Sequence, residues 1–333
     1  MTRTLVTGGS GFIGRHLVSE LVARGRQVRV LDVLLPTRPL VMVNYVQGSV
    51  LDRGLVHDVM GGVDEVYHLA GLPGMWMPNR ADFHTVNVTG TENILAAARR
   101  RGAARFLHCS TESILFRTAQ LDDADAEDAL LEADDMPGPY TRSKMLADQL
   151  ALDAAASGFP VIVGCPTMPI GPDDQNLTPP SAMLRYFLGG GLFQMYLDFV
   201  ANFVDVRDVA VGIILAMEKG RIGHRYILGG ESIPLKQVLA LLAASGCRKL
   251  FFPIPGSFAQ LAAWMIEFIS DHVTHSAPSA TVEGVRIARR ATALSIDKAR
   301  RELGYAPRPV EPVLRETIAH MMEVPRRRIP RHA

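Results

Sequence analysis

Cysteine is scarce in this chain. Its three copies, Cys109, Cys165 and Cys247, are odd in number and far apart, so they suggest neither a disulfide framework nor a metal-ligand pattern. A charge surplus is missing too. The 35 basic and 34 acidic residues leave a formal net charge of +1, which argues against a nucleic-acid partner, because phosphate neutralisation needs basic excess. No run reaches the roughly 18 apolar residues of a membrane-spanning helix. The first residues enter an apolar run and then a glycine-rich one, without the layout of a signal peptide. No internal repeat is apparent. The expectation is a soluble, cytoplasmic protein.

Core material is abundant, with 48% hydrophobic residues and 21% charged. At about 100–200 residues per domain, the chain has room for two domains, or one large domain with an appendage. The first half alternates short β-branched runs with helical patterns. Strands are expected at 4–7, 27–33, 43–47, 65–69, 105–109 and 161–164. Helices are expected at 12–24, where Ile13, Leu17, Leu21 and Val22 share a face, and at 90–101. This alternation predicts an α/β fold built on a Rossmann-type, doubly wound parallel sheet. After Cys165 prolines accumulate (Pro166, Pro169, Pro172, Pro179, Pro180), followed by a strand-like run at 203–206 and another at 226–228 that is expected to return to the main sheet. The predicted organisation is a Rossmann domain over 1–165 plus 199–230, a smaller C-terminal substrate lobe over 166–198 plus 231–322, and a basic tail at 323–333. The acidic stretch 121–135 reads as a solvated loop or a lid.

Residues 5–14 read LVTGGSGFIG, which sets Gly8, Gly11 and Gly14 between a strand and a helix. Gly8 permits a tight turn, Gly11 lets the backbone approach a pyrophosphate, and Gly14 lets helix and strand pack closely. The helix N-terminus then offers free N–H groups to phosphates. The second strand ends in Asp32, placed to accept ribose hydroxyls and to repel a 2′-phosphate, which favours NAD over NADP.

Tyr140 and Lys144 lie one helical turn apart on one face. A nearby ammonium favours phenolate, so the pair is a candidate proton shuttle. Ser110, Thr111 and Glu112 follow the strand 105–109, and a hydroxyl at the C-terminal end of a strand sits on the cofactor side of such a sheet.

Together these residues resemble the extended short-chain dehydrogenase/reductase superfamily, also called the NAD-dependent epimerase/dehydratase family, over essentially the whole chain. TGGSGFIG (7–14) resembles its cofactor motif and HLAG (68–71) its nicotinamide-side strand end. NVTGT (87–91) is similar to its N-V-x-G-T helix start, CPT (165–167) through Gly171-Pro172 to its R-P-x-x-x-x-G-P segment, and KARRELGYAP (298–307) to its closing motif. The resemblance implies that Tyr140 is the acid/base, Lys144 its partner and Thr111 the hydroxyl orienting the substrate oxygen. It implies cofactor contacts from Gly8, Gly11, Phe12, Ile13, Gly14, Asp32, Ser49, Val50, Leu69, Ala70, Gly71, Asn87, Tyr140, Lys144, Pro166 and Thr167. A homodimer is common in the family. Two positions depart from its pattern: Ser49 stands where an adenine-contacting Asp is expected, and Cys165 where an Arg usually precedes Pro166. The nearest branch is that of dihydroflavonol reductases, 3β-hydroxysteroid dehydrogenases and hopanoid-associated epimerase-like proteins, to which PTMPIGP (166–172), RIGHRYILGGESIPL (221–235) and VEGVRIARR (282–290) are similar.

Several features bear on the substrate. The loop LPGMWMP (72–78) and the span 191–204 are apolar, whereas a nucleotide-sugar diphosphate needs cations. Met75, Trp76, Thr111, Glu112 and Met168 are the candidate substrate contacts. Residues 257–269 are apolar around most of a helix, which suits a core or dimer helix, or else a membrane-surface contact aided by Arg326–Arg328 and Arg331. The expectation is an NAD-dependent oxidoreductase acting on a secondary alcohol or ketone of a bulky, sterol- or triterpenoid-like molecule. The alternatives are a nucleotide-sugar epimerase or dehydratase and a non-catalytic NAD-binding regulator.

Overall fold

The computed structural model describes residues 2–116, 127, 129–175 and 177–323. Most of the acidic stretch beyond residue 120 up to 128, and the arginines of the tail, therefore lie outside the described residues. The strands in chain order are β1 (Arg3–Thr7), β2 (Gln27–Asp32), β3 (Val43–Gln47), β4 (Glu65–His68), β5 (Arg105–Cys109), β6 (Val161–Pro166), β7 (Met168–Ile170), β8 (Phe193–Tyr196), β9 (Val200–Asp205), β10 (Arg225–Leu228), β11 (Glu231–Pro234) and β12 (Leu250–Pro253). The helices are α1 (Phe12–Ala23), α2 (Arg53–Val59), α3 (Ala81–Phe83), α4 (Gly90–Arg101), α5 (Pro139–Ala156), α6 (Pro179–Leu188), α7 (Val206–Lys219), α8 (Leu235–Ala244), α9 (Gly256–Ile269), α10 (Val282–Arg290), α11 (Asp297–Leu303) and α12 (Val310–Glu323).

Seven strands form one sheet in the order β10-β6-β5-β4-β1-β2-β3, and every pairing in it is parallel. Leu5, Val6, Val30, Leu31, Val66, Phe106, Leu107, Ile162 and Val163 are buried within it. Helices cover both faces, so these strands read as continuous apolar runs. The strand order reverses between β1 and β4. At such a switch point the carboxyl ends of the strands diverge and leave a crevice.

A second core holds Ile170, Leu184, Phe187, Ala201, Phe203, Leu239, Leu314 and Ile318. It lies on a three-stranded sheet, β11-β9-β7. The predicted boundary at 199 is corrected here. β9 is hydrogen-bonded to β7 and β11, so 200–205 belongs with the smaller sheet, and only from α7 onward does the chain return to pack against α1 and β6. β10 does return to the main sheet beside β6, as expected.

The helix expected at 257–269 is α9, and it is not a core helix. Only Ala259 and Ala263 are buried in it, while Phe258, Leu261, Trp264, Met265, Phe268 and Ile269 are exposed. The small alanines seat the helix against the body, leaving the large side chains outside.

Candidate active site

The glycine turn is built by close backbone approach. Gly8 has φ of 73°, and a Cβ there would lie 2.7 Å from the Ala70 nitrogen. A Cβ at Gly14 would lie 2.1 Å from the Gly8 carbonyl oxygen. The end of β1, the start of α1 and the Leu69-Ala70-Gly71 segment after β4 thus meet with no room for side chains. Gly11 caps α1 without any side-chain acceptor, so the first turn, carrying Phe12, Ile13 and Gly14, keeps N–H groups for an anion. Asp32 braces the turn: Oδ2 accepts the Ser10 N–H at 2.9 Å and Oδ1 the Leu34 N–H at 3.1 Å. Around the crevice the buried hydroxyls of Ser10, Ser110 and Thr167 have no partner among the described residues. A cradle that a Cβ would fill, an uncapped helix start and orphaned hydroxyls are features that a dinucleotide fits.

The other predicted cofactor residues end or follow strands of the same sheet. Pro166 ends β6, and Thr167 links it to Met168 at the start of β7. Val50 is buried, with its carbonyl accepting from Asn93 Nδ2 at 3.1 Å. The Ser49 hydroxyl accepts the Leu51 N–H at 3.1 Å, so it is engaged with its own turn.

A relay of neutral groups fixes the nicotinamide-side strand end. Thr7 Oγ1 accepts the Ala70 N–H at 3.2 Å and lies 2.7 Å from His68 Nδ1. His68 Nε2 lies 2.9 Å from Thr91 Oγ1, which donates to the Asn87 carbonyl at 2.6 Å. The Thr91 proton is thereby committed, so Nε2 carries the His68 proton and Nδ1 accepts from Thr7. Burial, reinforced by Lys144, pushes His68 down to about 3, which keeps it neutral. Asn87 sits in a π-helical turn, His84–Thr89, a local irregularity common at functional sites. Its Oδ1 accepts the Leu72 N–H at 2.7 Å, and its Nδ2 donates to Ser143 Oγ at 2.9 Å. The Ser143 hydroxyl donates to the Tyr140 carbonyl at 2.7 Å. Sequence reasoning missed Thr7, Ser143 and Thr91, whose roles depend on partners in other elements.

Thr111, Tyr140 and Lys144 come together. Thr111 lies close enough to the Tyr140 phenol to favour its charged form, and its Oγ1 lies 3.2 Å from both Glu112 Oε2 and Ser113 Oγ. Phe83 meets the Tyr140 ring edge-on, with centroids 5.9 Å apart. The expected effect of Lys144 on the phenol is corrected. Lys144 Nζ donates to the Cys109 carbonyl at 2.7 Å, and burial together with Glu112 pushes the Tyr140 phenol up. Burial likewise lowers Lys144 and lifts Glu112 to about 8. Tyr140 and Glu112 are therefore both protonated at neutral pH.

Glu283 on α10 completes the helix that carries this pair. Its Oε1 accepts from the Thr141 N–H and the Thr141 hydroxyl, each at 2.7 Å, and its Oε2 accepts the Tyr140 N–H at 3.1 Å. α5 has Gly138 at its N-cap, and a Cβ there would stand 2.6 Å from the Glu283 carboxylate. The absence of a capping side chain at 138 was the one available signal that the acceptor must come from elsewhere.

Of the substrate candidates, Met75 packs against the main core. Trp76 donates its indole N–H to Asp271 Oδ1 at 2.8 Å and lies under the Arg80 guanidinium. Arg80 reaches both Glu267 and Asp271. The 72–78 loop is thus tied to α9 and to the residues directly after it.

A parallel doubly wound sheet, a glycine-lined turn at its switch point and a Tyr-x-x-x-Lys helix beside strand-end hydroxyls define the class of extended short-chain dehydrogenases/reductases. Residues 4–229 match the model of the NAD dependent epimerase/dehydratase family, and the chain belongs to that family. It is an NAD(P)-dependent enzyme of the extended type. Among its relatives is the 4-hydroxy-2-methyl-3-oxo-4-farnesyl-3,4-dihydroquinoline-1-oxide ketoreductase of Stigmatella aurantiaca, 34% identical over 92% of each chain. Sterol demethylase protein B of Methylococcus capsulatus is 28% identical over 96% of this chain and 98% of that protein. The crystal structure of gox2253 superposes with a TM-score of 0.75 at 28% identity, covering 97% of this chain and 98% of that one.

Proposed function

We propose that the protein is an NAD-dependent oxidoreductase interconverting a secondary alcohol and a ketone on a bulky apolar molecule. The observation that carries this reading is the meeting of Thr111, Tyr140 and Lys144 beside the glycine cradle. Bound NAD(H) supplies the hydride chemistry. In this reading Thr111 Oγ1 and the Tyr140 phenol would hold the substrate oxygen between them. The phenol's upward shift keeps it in the form that donates a proton to a carbonyl oxygen, and the reverse transfer serves oxidation. Lys144, four residues on, donates to the Cys109 carbonyl at the end of β5 and is the residue that would hold the nicotinamide ribose hydroxyls. Asp32, with both oxygens drawn to backbone N–H groups, puts negative charge where a 2′-phosphate would lie, which favours NAD over NADP.

The apolar substrate is supported in two ways. Both relatives named above carry names of terpenoid or sterol chemistry. Arg207, which follows the apolar span, is also committed elsewhere: it is bound to Asp205 and Glu316, each at 2.6 Å, which leaves it poorly placed for a nucleotide-sugar diphosphate.

The test incubates the protein with NAD and a panel of 3-hydroxysterols, hopanoids and UDP- or dTDP-sugars, following NADH absorbance and product mass. NADH formed with the isoprenoid alcohols, and lost in Tyr140→Phe, is the expected result. Sugar isomers without net NADH would make the protein an epimerase, and NAD binding without any turnover would make it a regulator.

A further inference from the structure

Helix α9 reverses the usual amphipathic rule. A surface helix turns its apolar stripe inward, yet here Phe258, Leu261, Trp264, Met265, Phe268 and Ile269 face outward, over an arc of roughly 140° at 100° per residue. The residues just before it continue the pattern. β12 pairs with β8, setting Leu250 against Phe193 and Phe252 against Met195. All four are exposed, and by the alternation of a strand they share one face. An apolar surface of this extent marks an interaction site.

Charge lies beside it. In the groove between α9 and α10, Gln260, Arg286, Arg289 and Arg290 line a concavity of about 490 Å³. Arg286 and Arg290 donate to the Pro137 and Asp135 carbonyls, and among the described residues none of the three arginines is in an ion pair. The acids at the other end of the groove, Glu267 and Asp271, are taken up by Arg80.

We propose that α9 and its arginine-lined groove dock the protein on an anionic membrane, the apolar side chains entering the interface and the arginines holding lipid phosphates. Large apolar residues rimmed by cations suit a bilayer surface. A twofold copy whose axis passes through the groove would set the three arginines near their own images. The geometry also connects this face to the candidate active site. Trp76 and Arg80 fasten the 72–78 loop to Asp271, and α10 supplies Glu283 to the N-terminus of α5. A substrate leaving the membrane along this face would meet that loop first. This deepens the apolar-substrate reading, but its test reads lipid binding without turnover, so either can fail alone.

The experiment co-sediments the protein with vesicles of phosphatidylcholine, or of phosphatidylcholine mixed with phosphatidylglycerol. Trp264 emission is followed in a Trp76→Phe background. The expected result is sedimentation with the anionic vesicles, weakened by salt, with a blue shift of Trp264. Leu261→Ser/Phe268→Ser should lower the partition by roughly tenfold or more, and Arg289→Glu should lower it on anionic vesicles alone. Unchanged melting temperatures would show that the variants are folded. A wild type that stays in the supernatant with both vesicles overturns the proposal. So does a serine variant that shifts a dimer to a monomer while vesicle binding is unaltered, because the face would then be a contact between copies.

Discussion

Glu283 accepts a hydrogen bond from the backbone N–H of Tyr140, a residue 143 positions away, at 3.1 Å. The same carboxylate takes the N–H and hydroxyl of Thr141, so a side chain of α10 does the work of an N-cap for the helix bearing the candidate acid/base. Helix starts leave N–H groups unpaired, and a carboxylate there also complements the helix dipole. The position of the phenol thus depends on the seating of α10.

Glu283→Ala should therefore cost about 1–3 kcal/mol of stability, the usual range for stranded buried donors. It should also lower kcat, because Tyr140 loses its anchor. Glu283→Gln retains an accepting oxygen and should lose less of both. Urea melts and steady-state rates on the three proteins check this. An alanine variant as stable and as fast as wild type would show that the cap is dispensable.

The glycine cradle makes a sharper prediction. With a Cβ at Gly14 only 2.1 Å from the Gly8 carbonyl, Gly14→Ala must push α1 away from the turn. NAD affinity should fall by at least an order of magnitude. Gly191 has open space at its Cβ, so Gly191→Ala should leave NAD affinity as it was. Calorimetric titration of both variants decides the point, and tight binding by Gly14→Ala would mean that the crevice is not the dinucleotide site.

Glu112 sets a pH dependence whose sign can be worked out. Burial lifts its carboxyl from 4.5 to about 8. Between those values the folded state holds one proton more than the unfolded state, so stability falls as pH rises through the window. Below about 4.5 this contribution is fully present, and above about 8 it is lost. A tenfold change in proton affinity corresponds to about 1.4 kcal/mol, which makes the drop a few kcal/mol. Glu112→Gln, always neutral, should flatten the profile between about pH 5 and 8. Denaturant melts across that range measure it, and a variant with the wild-type slope would assign the effect to another group.

Much of the main sheet was legible because its strands are buried on both faces and read as apolar runs; β3 and β5 fall at the predicted bounds. The Gly8–Gly14 turn, Asp32 and the Tyr140–Lys144 spacing were also legible, since each is local along the chain. What periodicity cannot give is a partner. The run near 203 reads as a strand whichever sheet receives it, and its pairing with β7 and β11 depends on residues before and after it. Glu283 was hidden for the same reason. For α9, an apolar composition left a core or dimer helix and a membrane-surface contact open; only the seating of Ala259 and Ala263 turned the large residues outward. The expected Lys144 effect on the phenol failed because a four-residue spacing fixes a shared face, not where the ammonium points.

A buried ion pair ties β10 and α5 to Glu127 and Ala129. Arg225 and Asp148 meet at 2.7 Å, and Arg225 also donates to the Glu127 and Ala129 carbonyls at 3.2 and 3.1 Å. Removing one partner of such a pair leaves an uncompensated charge in a low dielectric, which costs about 3–5 kcal/mol. Arg225→Met should therefore be strongly destabilising, because Asp148 stays buried without its partner. Combining it with Asp148→Leu removes the stranded charge and should restore much of the loss, although the two carbonyls stay without their donor. Denaturant melts of the single and double variants check the cycle. If Arg225→Met alone is no less stable than the double variant, the desolvated charge of Asp148 is not what holds this corner together.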